Sequence, residues 1–172
     1  LKKERAKKVI ALLPYLAYAR HDKQVKGESL TTAWVAQVLK VSGIDEIVTV
    51  DLHSKRDQEL YPLPIINLSS SALFANRIKE EGFADATFVA PDNGAIARCE
   101  AVQAELGKSD SVAVFEKART KEGITHSEVN GEVGSRAVII DDQLDTGRTL
   151  ISACEKLGEQ GVEEIMIFIS HG

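Results

Sequence analysis

The stretch from Ala137 to Thr149 constrains the fold more than any other part of this 172-residue chain. Ala137 to Ile140 is an apolar, β-branched run that reads as a buried strand. It empties into two adjacent carboxylates, Asp141 and Asp142, and continues through Asp145, Thr146, Gly147, Arg148 and Thr149 into an amphipathic helix beginning near Leu150. A strand, a small-polar loop and a helix in that order aim backbone N–H groups and hydroxyls at one point, at the positive end of a helix dipole. That is a phosphate cradle, and the carboxylates before it suit a hydroxylated group, a Mg²⁺ ion, or both. An ordinary strand–loop–helix corner whose acids cap the helix is the alternative, and the complete pattern favours the phosphate site.

The rest of the chain repeats the alternation. Short β-branched runs at Val9–Leu13, Glu46–Val50, Ala86–Ala90, Val112–Phe115 and Glu164–Ile169 are interleaved with helical periods near 29–41, 70–81, 94–106 and 149–160. Gly43, Gly82, Gly107 and Gly161 each follow one of these helices, where a left-handed C-terminal cap requires Gly. This predicts an α/β protein built on a parallel sheet covered by helices. Tyr61-Pro62-Leu63-Pro64 and the following Ile65–Leu68 mark a boundary, with Ser69-Ser70-Ser71 capping the next helix. Two parts result, 1–68 and 69–172. The first offers two strands and a helix, too little to close a core alone.

Bulk properties exclude several classes. With 44% hydrophobic and 27% charged residues the composition is that of a globular domain, and a net charge of −5 gives no reason to expect a nucleic-acid partner. Lys2, Lys3, Arg5, Lys7 and Lys8 cluster around Glu4 as a solvated helix face. Cys99 and Cys154, expected in helices on separate units, form neither a disulfide framework nor a metal motif, so a reducing, cytoplasmic setting is the default. No apolar run approaches membrane-spanning length.

Ligands collect at the C-terminal ends of strands in such sheets, and four more strands end in unusual chemistry. The first runs into Tyr18-Ala19-Arg20-His21-Asp22-Lys23, followed by Gly27-Glu28-Ser29-Leu30-Thr31. The others end in Asp51-Leu52-His53, in Pro91-Asp92-Asn93-Gly94, and in Glu116-Lys117-Ala118-Arg119. Together with the cradle and the closing Ser170-His171-Gly172, this ordered set resembles the ribose-phosphate pyrophosphokinases, which share their phosphate loop with type I phosphoribosyltransferases. The resemblance covers essentially the whole chain.

It implies a three-layer phosphoribosyltransferase-like fold, with the second unit complete or nearly so and the first partial. It implies transfer of the diphosphoryl group of ATP to the 1-hydroxyl of ribose 5-phosphate, giving phosphoribosyl pyrophosphate and AMP with Mg²⁺. Asp141 and Asp142 would meet the ribose hydroxyls, and Asp145 to Thr149 would wrap the 5-phosphate. Lys117 and Arg119 match the family's catalytic pair on a mobile loop, and two residues apart in an extended segment they share a face. Thr120 to Glu128 would then be a polar loop able to close over the site. His53 and Asp92 match the metal-side ligands, and Arg20 and His21 the ATP contacts. His21 stands where the family usually has Gln, and Arg148 where the synthetases usually have Gly. Asp22 would orient Arg20 or form a surface salt bridge, and Trp34 reads as core.

The same resemblance implies a homo-oligomer, and a chain truncated at both ends, since it opens on Leu1 and stops after His171-Gly172. Two competing readings follow: a catalytically silent relative that regulates or scaffolds active subunits, and a phosphoribosyltransferase acting on a nucleobase. The second has no reason to keep Arg20, His53, Lys117 and Arg119 together.

Overall fold

The apolar runs fold into parallel sheets, and one strand of polar composition is added at an edge. The computed structural model describes residues 1–22, 30–120 and 123–172, with the backbone alone given over 117–120 and 123–127. The Gly27-Glu28-Ser29 motif lies outside the described residues. The chain divides into two units, Leu1–Ser69 and Ser70–Gly172.

In the first unit, β1 (Ile10–Leu12), α1 (Thr31–Val41), β2 (Glu46–Val50), α2 (Lys55–Leu60) and β3 (Ile65–Leu68) follow one another. The three strands form a parallel sheet in the order β1-β2-β3. Ile47 and Ile65 stand in register and pack with Ala36 of α1 and with Leu16, Leu52 and Tyr61. On the other face Leu12, Val48 and Ile66 are in register, with Leu12 and Ile66 exposed.

This unit holds one more strand and one more helix than the sequence reading allots. β3 was expected as a boundary because of its prolines, but Pro62 and Pro64 precede the strand rather than interrupt it. α2 is too short to announce itself by periodicity, and its signal is a capping box. Asp57 N–H donates to Ser54 Oγ at 3.3 Å, and Ser54 N–H donates to the Asp57 carboxylate at 3.0 Å.

Trp34 also departs from expectation. Thr32 and Ala36 are fully buried, and Trp34, about half a turn from each, is 64% exposed on the opposite face of α1. Lys2 and Lys8 of the basic cluster pair with Asp45 and Glu46, at 2.6 and 3.0 Å, and only Lys2–Glu4 forms a 3-10 turn.

The second unit runs α3 (Ser71–Glu80), β4 (Thr87–Ala90), α4 (Ile96–Glu105), β5 (Ala113–Thr120), β6 (Gly123–Asn130), β7 (Arg136–Gln143), α5 (Arg148–Glu159) and β8 (Glu164–His171). Its sheet has the order β6-β5-β4-β7-β8, parallel except for β6, which is antiparallel to β5. Alternation along β7 builds the layers. Val138 and Ile140 pack against Phe74 and Ile78 of α3 and Cys99 and Val102 of α4. Ala137 and Ile139 pack against Leu150, Ala153 and Leu157 of α5. The result is a three-layer α/β/α arrangement, in which the parallel strands are covered by helices as the alternation of runs predicts.

β6 replaces the polar loop expected from Thr120 to Glu128. Gly123-Ile-Thr-His-Ser-Glu-Val-Asn130 lacks an apolar period, and its strand conformation comes from pairing along β5 at the sheet edge. Ser70 stands at the N-cap of α3 with helical backbone angles and no side-chain cap bond, its hydroxyl lying 3.4 Å from that of Ser170. The glycines after the four predicted helices do adopt left-handed φ angles, between 70 and 90°. Cys99 and Cys154 both belong to this one unit, on opposite faces of its sheet, and neither is in a disulfide.

Candidate active site

Neighbouring strands β4 and β7 send their chains to opposite faces of the sheet. β4 leads through α4 to β5, and β7 leads through α5 to β8. Such a reversal opens a crevice at the C-terminal strand ends. Asp92 lies just beyond β4, and Asp141 and Asp142 close β7.

Each side of the crevice is fixed by its local sequence. Asp92 Oδ1 accepts the Gly94 N–H at 2.7 Å and caps the 3-10 turn Asn93–Ala95. A Cβ on Gly94 would stand 3.0 Å from that same oxygen, so the carboxylate occupies the space a side chain would need. Across the crevice, Leu144 N–H donates to the His171 carbonyl at 2.8 Å, pinning the loop to the end of β8. Gly147 then starts α5 at φ 76°, a conformation that selects Gly, and its carbonyl accepts the Ile151 N–H at 2.9 Å. Asp145, Thr146 and Arg148 are exposed around this helix start, and Thr149 is half-buried. The loop leads from strand into helix as the sequence predicts, with Arg148 the first residue of α5 rather than part of the loop.

Two carboxylates lie between these sides. Asp142 N–H donates to Asp141 Oδ1 at 2.9 Å. Burial, then a side-chain hydrogen bond with Asp142, push the Asp141 carboxyl up to about 6, and Arg98 opposes the rise. Asp142 is buried and meets Arg98 at 3.3 Å. Sequence reasoning missed Arg98. The available signal was its position one helical turn after Gly94, whose carbonyl accepts from Arg98 Nη1 at 3.3 Å.

Lys117 and Arg119 are backbone-paired within β5, opposite His126 and Ile124 of β6, after a register shift between Phe115 and Lys117. They were expected on a loop, and the antiparallel partner strand is what orders them.

Arg20, His21 and His53 lie in the first unit, so the sequence-predicted residues are divided between the two units. Arg20 and His21 are exposed after β1, with the His21 ring 6.3 Å from that of Tyr18. His53 is half-buried after β2, where its charge eases a rise in the Asp57 pKa caused mainly by burial. Asp22 is only 5% exposed and accepts from Ser54 Oγ at 2.8 Å, so it is no surface salt bridge. Among the described residues no group of three or more His, Cys, Asp or Glu side chains is arranged to hold a metal ion.

Residues 57–172 match the model of the phosphoribosyl transferase domain. The chain belongs to that family. Its residues 1–43 match the model of the N-terminal domain of ribose phosphate pyrophosphokinase. It is 35% identical to the ribose-phosphate pyrophosphokinase of Thermosipho africanus, over 99% of this chain and 55% of that protein. Identity to the Campylobacter jejuni ribose-phosphate pyrophosphokinase is 32%, over 99% and 56%. The crystal structure of phosphoribosylpyrophosphate synthetase from Mycobacterium smegmatis is similar at a TM-score of 0.87 and 34% identity, covering 99% of this chain and 56% of that one. The chain therefore has the phosphoribosyltransferase-like fold and spans a little over half the length of the relatives it matches.

Proposed function

We propose that the chain carries ribose-phosphate diphosphokinase chemistry. The 1-hydroxyl oxygen of ribose 5-phosphate bonds to the β-phosphorus of ATP, the bond from that phosphorus to the α,β-bridging oxygen breaks, AMP leaves and the hydroxyl proton is released. The observation that carries this reading is the succession of Asp141, Asp142 and the Gly147-started helix at the end of β7. Two adjacent acceptors suit vicinal ribose hydroxyls, and a helix start with free N–H groups suits the 5-phosphate.

Positioning and charge neutralisation dominate diphosphoryl transfer, so cations count for more than a nucleophilic side chain. Lys117 and Arg119 would supply them on β5. Arg20 and His21 would contact ATP in the first unit. Asp92 in the second unit and His53 in the first would each serve as a Mg²⁺ ligand, and the ion when bound would neutralise charge on the phosphates. A carboxylate and an imidazole suit an ion that keeps waters and is carried largely by substrate phosphates. Parts 1–68 and 69–172 would act as the two domains of a cytoplasmic homo-oligomer.

The test is incubation of the purified chain with Mg-ATP and ribose 5-phosphate, followed by measurement of AMP and phosphoribosyl pyrophosphate. Formation of both, lost in Lys117→Ala, is the expected result. Product that is insensitive to Lys117 would remove its catalytic role. Binding of ribose 5-phosphate without turnover would favour a silent, regulatory relative.

A further inference from the structure

We propose that Arg98 is a positioning residue, joining the Asp92 turn to the Asp141–Asp142 pair so that the pair is set to receive the ribose hydroxyls. This rests on the ribose-phosphate reading above and adds a residue to it. Arg98 reaches back from α4 with a largely buried side chain, 20% exposed. One guanidinium nitrogen donates to the Gly94 carbonyl, and the other stands beside Asp142 Oδ1, each at 3.3 Å. The two arms of one planar group therefore span the crevice from the end of β4 to the end of β7. A planar fork fixes two partners at a set separation, which the single ammonium of Lys cannot reproduce.

The arrangement also answers an electrostatic need. Asp142 has a side chain only 9% exposed and lies next to a second carboxylate, and such a pair repels unless a cation is held beside it. Asp142 backbone N–H in turn donates to Asp141 Oδ1, so the backbone that carries one carboxylate also holds the other. The phosphate side of the site hangs from different bonds, Leu144 to His171 and Ile151 to Gly147. The Arg98 bonds to Gly94 and Asp142 belong to the sugar side. Recognition of the sugar hydroxyls should therefore depend on Arg98, and recognition of phosphate should not.

Titration calorimetry with Mg²⁺ present, using ribose 5-phosphate and inorganic phosphate as separate probes, tests this on the full chain, Arg98→Met and Arg98→Lys. The wild-type chain should bind ribose 5-phosphate more tightly than phosphate. Arg98→Met should weaken ribose 5-phosphate roughly tenfold or more while phosphate affinity stays within about twofold, since a lost charged hydrogen bond acts locally. Arg98→Lys should recover little of the loss. Unchanged ribose 5-phosphate binding in Arg98→Met, parallel loss of both probes, or full rescue by Lys would each overturn the assignment. A wild-type chain that binds ribose 5-phosphate no better than phosphate would overturn the ribose reading itself, and this inference with it.

Discussion

Ser54 Oγ donates to Asp22 at 2.8 Å, so a single hydroxyl ties the segment after β1 to the segment after β2. Asp22 follows directly on Arg20 and His21, and Ser54 follows directly on His53. The two stretches proposed for nucleotide and metal in the first unit are therefore joined by a short bond from half-buried Ser54 to buried Asp22. Ser54→Ala leaves the Asp22 carboxylate short of an acceptor's partner and removes the N-cap of α2. Its expected cost is about 1–3 kcal/mol, measured by urea denaturation. Ser54→Thr, which keeps the hydroxyl, should lose much less.

Asp141 makes stability depend on pH in a direction opposite to that of most surface acids. Its folded-state pKa is raised from 3.8 to about 6, chiefly by burial and then by Asp142, against Arg98. Between those values the folded chain holds a proton that the unfolded chain has released, so this group's contribution is present at low pH and lost as pH rises through about 6. Asp141→Asn lacks that loss. Its melting temperature should exceed wild type near neutral pH, and the gap should close as the pH is lowered toward 4. A gap that is constant with pH would contradict the assignment.

Gly94→Ala is expected to act on its neighbour more than on the backbone. The new methyl would meet Asp92 Oδ1 at 3.0 Å and must push that carboxylate aside or break its bond from the Gly94 N–H. Stability should fall by about 1–2 kcal/mol, in the range of overpacking, and Mg²⁺-dependent binding of ribose 5-phosphate should weaken with it. Calorimetry with and without Mg²⁺ separates the two effects.

Trp34→Gln should leave the stability of the isolated chain within about 0.5 kcal/mol of wild type, because the indole lies largely in solvent. A loss of several kcal/mol in chemical denaturation would mean that the indole is packed.

The parts of the fold legible in the sequence were those written in periodicity. β7 and its flanking layers follow from Val138 and Ile140 alternating with Ala137 and Ile139, and the helix start at Gly147 follows from the residues after them. Features that arise from pairing or from short caps were not legible. β6 has no apolar alternation and depends on β5, and α2 declares itself only through Ser54 and Asp57. Trp34 was misread because size and hydrophobicity were weighed without the facing direction, which Thr32 and Ala36 fix. Arg98 escaped notice for a different reason: its importance lies in two partners, Gly94 and Asp142, forty-four residues away in the second case.

Lys117 and Arg119 ride on a ladder, opposite His126 and Ile124, rather than on a free coil. A coil must be gathered into place each time a substrate arrives, with the loss of backbone freedom that gathering entails. A paired ribbon has already given up that freedom. Any displacement of this segment is then that of a lever, in which the backbone at 117 cannot be advanced without that at 119, and loosening the ladder at Ile124 or His126 would return the segment to a coil.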